Sequence, residues 1–152
     1  MTARLSKGAE TAPGRPDVLG LAVRIPTESG DWDLLLSSAG TGRWTRMLPK
    51  FARRWQNARL GTLLPYRYRG ELVWFTALPG AGEPPERFTL HASGRDGGLR
   101  QVAELTLHHR ETEPVAFDPV LTLPPELELA PRWFARLRAQ AYRGSRLGRR
   151  GS

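Results

Sequence analysis

VLGLAVRIPTESGDWDLLLSS, residues 18–38, is the stretch that decides the fold. Two apolar runs flank the polar interval from Pro26 to Gly30, which is the composition of two strands joined by a turn. The second run opens on Asp31, Trp32 and Asp33, so a large indole stands between two carboxylates. Outward from this pair the same pattern recurs. Strands are expected at 18–25, 32–36, 62–66, 72–78, 87–92 and 101–108, separated by Gly and Pro, which points to an antiparallel sheet or barrel and not to βαβ units. RYRGELVWF, residues 67–75, reads as a tight hairpin around Gly70. LPKFARRWQNARL, residues 48–60, is expected to be helical, with Phe51 and Trp55 four apart on one face. These six strands are too few to close an eight-stranded barrel. An incomplete or open barrel is therefore expected, with an edge at 18–25 that is exposed or covered by a second copy of the chain.

At 152 residues and 17.0 kDa the chain has room for one domain with a real core. The absence of cysteine excludes disulfides, thiolate nucleophiles and cysteine-type zinc sites. His91, His108 and His109 are the only imidazoles. Neighbours on a strand point to opposite faces, so His108 and His109 are not expected to chelate one metal. No run approaches the roughly 18 apolar residues of a membrane-spanning helix, and MTARLSKGAE lacks the apolar centre of a secretory signal, so a cytoplasmic protein without a membrane partner is expected.

The 23 basic residues outnumber the 15 acidic ones, for a net charge of +8. All but Lys7 and Lys50 are arginine, and an Arg, Ala, Gly and Pro bias also arises from GC-rich coding, so a nucleic-acid partner is not the first reading. The densest cluster, Arg132, Arg136, Arg138, Arg143, Arg146, Arg149 and Arg150, lies at the C-terminal end. After Thr112 the character changes. Pro114, Pro119, Pro124, Pro125 and Pro131 impose an extended arm over the surface, feeding a helix that Pro131 opens and Gly144 ends. The expected organisation is barrel strands over 1–113, then the wrapping arm, terminal helix and basic tail over 114–152, in one domain overall.

Ala3, Arg4, Ser6, Asp17, Gly20, Ala22, Thr27, Glu28, Gly30, Trp32, Asp33 and Leu34 fall in the order of a catalase pattern: Ala-Arg-Phe-Ser, then Asp-x-x-Gly-Phe-Ala, then Glu-x-Gly-Asn-Trp-Asp-Leu. TLLPYRYRGELVWFTALP (62–79) is similar to the Pro-Tyr-Arg-Phe-Gly strand pair of small catalase-like and allene oxide synthase proteins. AFDPVLTLPP (116–125) resembles the catalase wrapping arm, and ARLRAQAYRGSRLG (135–148) resembles the proximal haem helix. The chain thus resembles the catalase-like superfamily over most of its length, with a much shorter middle region.

The resemblance implies a mainly β, catalase-like barrel that binds haem. Arg4 would pair with a haem propionate, Ser6 would stand behind the distal histidine, and Ser37 would occupy the position of the asparagine that orients peroxide. Tyr142 would be the axial ligand to iron, with Arg138 one helical turn before it favouring the tyrosinate. Trp32 and Asp33 would be structural turn residues. The distal histidine would fall upstream of Met1, and serine is a shorter orienter than asparagine. The resemblance therefore implies weak or no turnover of a small peroxide or hydroperoxide. Two alternatives stand beside it: a haem-free barrel kept as a structural or binding module, and a binder of nucleic acid or anionic surfaces through the arginine tail.

Overall fold

A computed structural model describes residues 1–8, 12, 15–40, 45, 48, 50–108, 115–119 and 122–130. They form nine strands: β1 (Thr2–Lys7), β2 (Leu19–Thr27), β3 (Gly30–Ser38), β4 (Leu60–Gly61), β5 (Tyr66–Tyr68), β6 (Glu71–Pro79), β7 (Arg87–Ser93), β8 (Leu99–Thr106) and β9 (Leu127–Leu129). All pairings are antiparallel. The path runs β1-β2-β3-β4-β6; β7 and then β8 continue from the other edge of β6, and β5 joins the start of β6 and carries β9. The result is an open, strongly curled sheet, a half-barrel.

Alternation in 18–38 sets the inside of the curl. Leu21 faces Leu36, Val23 faces Leu34 and Ile25 faces Trp32 across β2 and β3, so one face collects the large apolar side chains of the pair except Leu35, which lies opposite Ala22 on the other face. Ala77, Phe88, Leu90 and Leu105 extend that face through β6, β7 and β8 into a single buried cluster. The tryptophan has a specific task there. β4 meets β3 only at Ser37 and Ser38, so the other end of β3 parts from β6 and leaves a slit. Trp32 fills it edge-on against Tyr66 (5.6 Å between centroids) and Phe75 (5.1 Å), which themselves meet at 5.8 Å.

The hairpin at Gly70 forms as expected. Arg69 and Gly70 both have positive φ (48° and 82°), the mirror-image two-residue turn whose twist suits flanking strands. Other expectations are corrected. Residues 48–60 are not an α-helix: Arg54 and Ala58 are extended, Ala52 makes an isolated bridge with Asp17, and only Trp55–Asn57 forms a 3-10 turn. Phe51 and Trp55 do not share a face, for Phe51 is 65% exposed and Trp55 5%. Tertiary bonds override the helical spacing, since both Glu83 carboxylate oxygens accept the Trp55 backbone N–H. The strand expected at 62–66 is not formed: residues 62–65 lie between β4 and β5, and Thr62 Oγ1 accepts the Phe75 N–H in place of a backbone carbonyl. β2 is not an edge from Leu19 to Arg24, where β1 pairs with it. The terminal helix expected from Pro131 to Gly144 lies outside the described residues.

Trp32→Ala should lower unfolding free energy by about 3–5 kcal/mol, because it empties the slit. Trp32→Phe keeps a ring there and removes an indole N–H that is buried without an acceptor among the described residues, so it should cost under about 1.5 kcal/mol. Urea denaturation of the two variants checks the difference.

Candidate functional site

The face turned away from the core carries the polar residues. At one end Arg24 and Asp33 are direct cross-strand partners. The Arg24 guanidinium donates from Nε to Oδ1 and from Nη2 to Oδ2 of Asp33, each at 2.7 Å, and from Nη2 to the Ala116 carbonyl at 2.9 Å. Its charge also lies 5.5 Å from the centroid of the Phe117 ring. The bonds to Asp33 hold the Arg24 pKa above its ordinary value; desolvation opposes this, and attraction to Asp33 and Asp31 adds to it. Asp33, fully buried, accepts a third bond from the Asp118 N–H at 2.7 Å, while its own N–H donates to Thr122 at 2.9 Å.

Asp33 thus receives the proline-rich segment. The role expected of it, satisfying donors of its own turn, is corrected: its partners lie on β2 and some 85 residues further along the chain. The arm does not simply run over the surface either. Asp118, Pro119, Pro124, Leu129 and Ala130 are buried. The segment bonds the free edge of β3 at Asp33 and then pairs as β9 with β5, so it closes the slit that Trp32 fills from inside.

Beyond this clamp the register builds a single row across the sheet. Ser6 faces Gly20, Gly20 faces Ser37, Ser37 faces Gly61, Gly61 faces Thr76 and Thr76 faces His91. Their neighbours Leu5, Leu21, Leu36, Leu60, Ala77 and Leu90 belong to or pack on the core, so the row lies on the opposite face. The row is half-buried at Ser6, Gly20, Ser37, Gly61 and His91 and buried at Thr76. Glycine makes it low: a Cβ on Gly20 would stand 2.6 Å from Ser6 Oγ, so the serine hydroxyl leans over β2 toward Ser37 only because β2 has no side chain there. A Cβ on Gly61 would reach ordinary contact with Ala39 and Thr76.

Of the site residues expected from sequence, Ser6 and Ser37 come together on this row, one strand apart. Arg4 lies two residues before Ser6, opposite Ala22, exposed and on the same face. Arg138 and Tyr142 lie outside the described residues. Thr76 and His91 join the row without having been anticipated, because membership depends on the pairing of β4 with β6 and β6 with β7. His91 Nδ1 is buried with no hydrogen-bond partner among the described residues, at a bulge between β7 and β8. It stands three strand spacings from Ser37, about 14 Å, too far to share one small ligand. Among the described residues no group of three or more His, Asp or Glu side chains is placed to hold a metal ion, and no helix is long and apolar enough to cross a membrane. No protein family, curated protein or solved structure matches the chain.

Asp33→Ala removes the acceptor for two chain segments and strands Arg24, which is partly exposed and so partly rescued by water. A loss of about 2–3 kcal/mol is expected. Hydrogen exchange at the Asp118 and Thr122 amides should accelerate by more than exchange in β7.

Proposed function

We propose that the chain is a catalase-like haem-binding protein with weak or no peroxide turnover, and that the Ser6–Gly20–Ser37 row is the floor on which haem lies. The observation that carries this reading is the register. Three residues that the resemblance ties to one side of a haem, Arg4 and Ser6 on β1 and Ser37 on β3, stand on one face, away from the apolar core.

The residues suit the group. Glycine at positions 20 and 61 keeps the floor low enough for a planar ring to approach the backbone. Ser6 and Ser37 offer hydroxyls over it, and the Arg4 guanidinium at the edge suits a propionate, with which it can form a bidentate charge-assisted pair. Tyr142 is the candidate ligand to iron and Arg138 its positioning partner. Bound haem would supply the redox chemistry; the chain's residues would orient a small peroxide.

Fast turnover also needs a positioned acid/base. Hydroxyls do not titrate near neutrality, and the imidazole on the row, His91, is about 14 Å from Ser37. Activity well below that of a true catalase follows, by a factor on the order of 10² to 10⁴ from this deficit alone.

Titration of the purified chain with ferric haem tests the reading. A saturable Soret band is expected, abolished or shifted in Tyr142→Phe and weakened in affinity by Arg4→Ala. Absence of a saturable band would contradict it, as would a Tyr142→Phe spectrum identical to wild type. Oxygen evolution at a catalase rate from haem-loaded protein would overturn the account of the missing acid/base.

A further inference from the structure

Main-chain bonds gather four segments at the end of the sheet where β1 and β3 finish. Gly8 N–H donates to Val18 at 2.8 Å, Asp17 and Ala52 exchange bonds of 3.0 and 2.8 Å, and Lys50 N–H donates to Ser38 at 2.8 Å. Ser38 Oγ accepts the Leu19 N–H and donates to the Lys50 carbonyl. Lys7, the last residue of β1, faces Leu19 from the other side. Lys7 and Lys50 therefore flank Leu19, Arg15 approaches two residues before Asp17, and Arg53 and Arg54 leave directly after Ala52.

Five cationic residues are thus carried by segments that meet at one end, and none forms an ion pair with a described residue. Among the described residues nearby, Asp17 is buried with Oδ1 on the Val18 N–H, and Glu83 accepts the Trp55 N–H. Arg15, Lys50, Arg53 and Arg54 are exposed. Next to Lys50 and two residues before Arg53 in the chain is Phe51, a ring 65% exposed, with Leu48 also exposed. Codon drift does not account for this patch. Drift toward GC-rich coding replaces lysine by arginine, yet Lys7 and Lys50, the chain's only lysines, are both here.

We propose that this end of the sheet binds single-stranded nucleic acid, with the cations along the phosphates and the Phe51 ring stacked on a base. Arginine forks fit phosphate oxygens in pairs, and an exposed ring on a segment rich in cations suits unpaired bases held without reading their sequence. Duplex readout would need a helix or ribbon in a groove, whereas this patch is built from extended backbone and a 3-10 turn. A bilayer surface would call for an amphipathic helix with an apolar face, which the same backbone lacks.

The test is fluorescence anisotropy of a labelled oligothymidylate with the full chain at rising KCl. The proposal expects the double variant Arg53→Glu with Arg54→Glu to weaken binding at least about tenfold and to reduce the log–log salt slope by about 1.4, two single-strand phosphate contacts. Phe51→Ala should weaken binding roughly 5- to 100-fold with the slope unchanged. These side chains are exposed, so thermal melts should match wild type. Absence of binding by the wild-type chain overturns the proposal. So do patch variants that bind as wild type while reversal of Arg143, Arg146, Arg149 and Arg150 abolishes binding. Phe51-dependent binding to phosphatidylserine vesicles without oligonucleotide binding would replace it with a membrane surface.

Discussion

The Asp33 carboxylate, fully buried on the face of β3 away from the core, holds the architecture together. A buried charge is tolerated only when its lone pairs are satisfied, and Asp33 meets that condition with Arg24 from β2 and a backbone N–H from the arm. The arm must therefore dock before the charge is compensated. Once docked, it supplies the edge that β3 lacks where β4 has ended, and it leads into β9 beside β5. Trp32, the adjacent residue, fills the same slit from inside. Consecutive side chains on one strand thus seal the half-barrel from opposite faces, which explains an indole between two carboxylates.

That clamp occupies one end of the outer face and leaves the rest for chemistry. The row from Ser6 to His91 is polar and low because the core side chains all point inward and two of its positions are glycine. The other end of the sheet is chemically different. There Ser38 is used structurally, tying Leu19 to Lys50, and exposed cationic residues and the exposed Phe51 ring are carried on neighbouring segments. The proposed haem site and the proposed nucleic-acid patch thus lie in separate parts of the chain, and either proposal can be tested with the other region intact.

Residues 18–38 and the Gly70 hairpin were legible in the sequence because they pair locally and alternate cleanly. β1 and β9 were not. β1 is short and apolar only at alternate positions, and β9 is three residues in a proline-rich context, so each is defined by its partner. The helical reading of 48–60 failed for a related reason: four-residue spacing of Phe51 and Trp55 is local, whereas Asp17 and Glu83, which capture this backbone, are distant in sequence. The same limit applies to the candidate site. Arg4, Ser6 and Ser37 were singled out by resemblance, but their common face emerged only from the register of β1, β2 and β3. Thr76 and His91 needed two further pairings.

The central claim, that the outer row receives haem, is tested most directly by recording the backbone amide spectrum of isotopically labelled chain while ferric haem is added. Paramagnetic iron broadens only nearby amides. The account predicts losses at Ser6, Gly20, Ser37 and Gly61 with the amides of Leu105 and Leu129 intact. Uniform spectra, or losses centred away from this row, would contradict it.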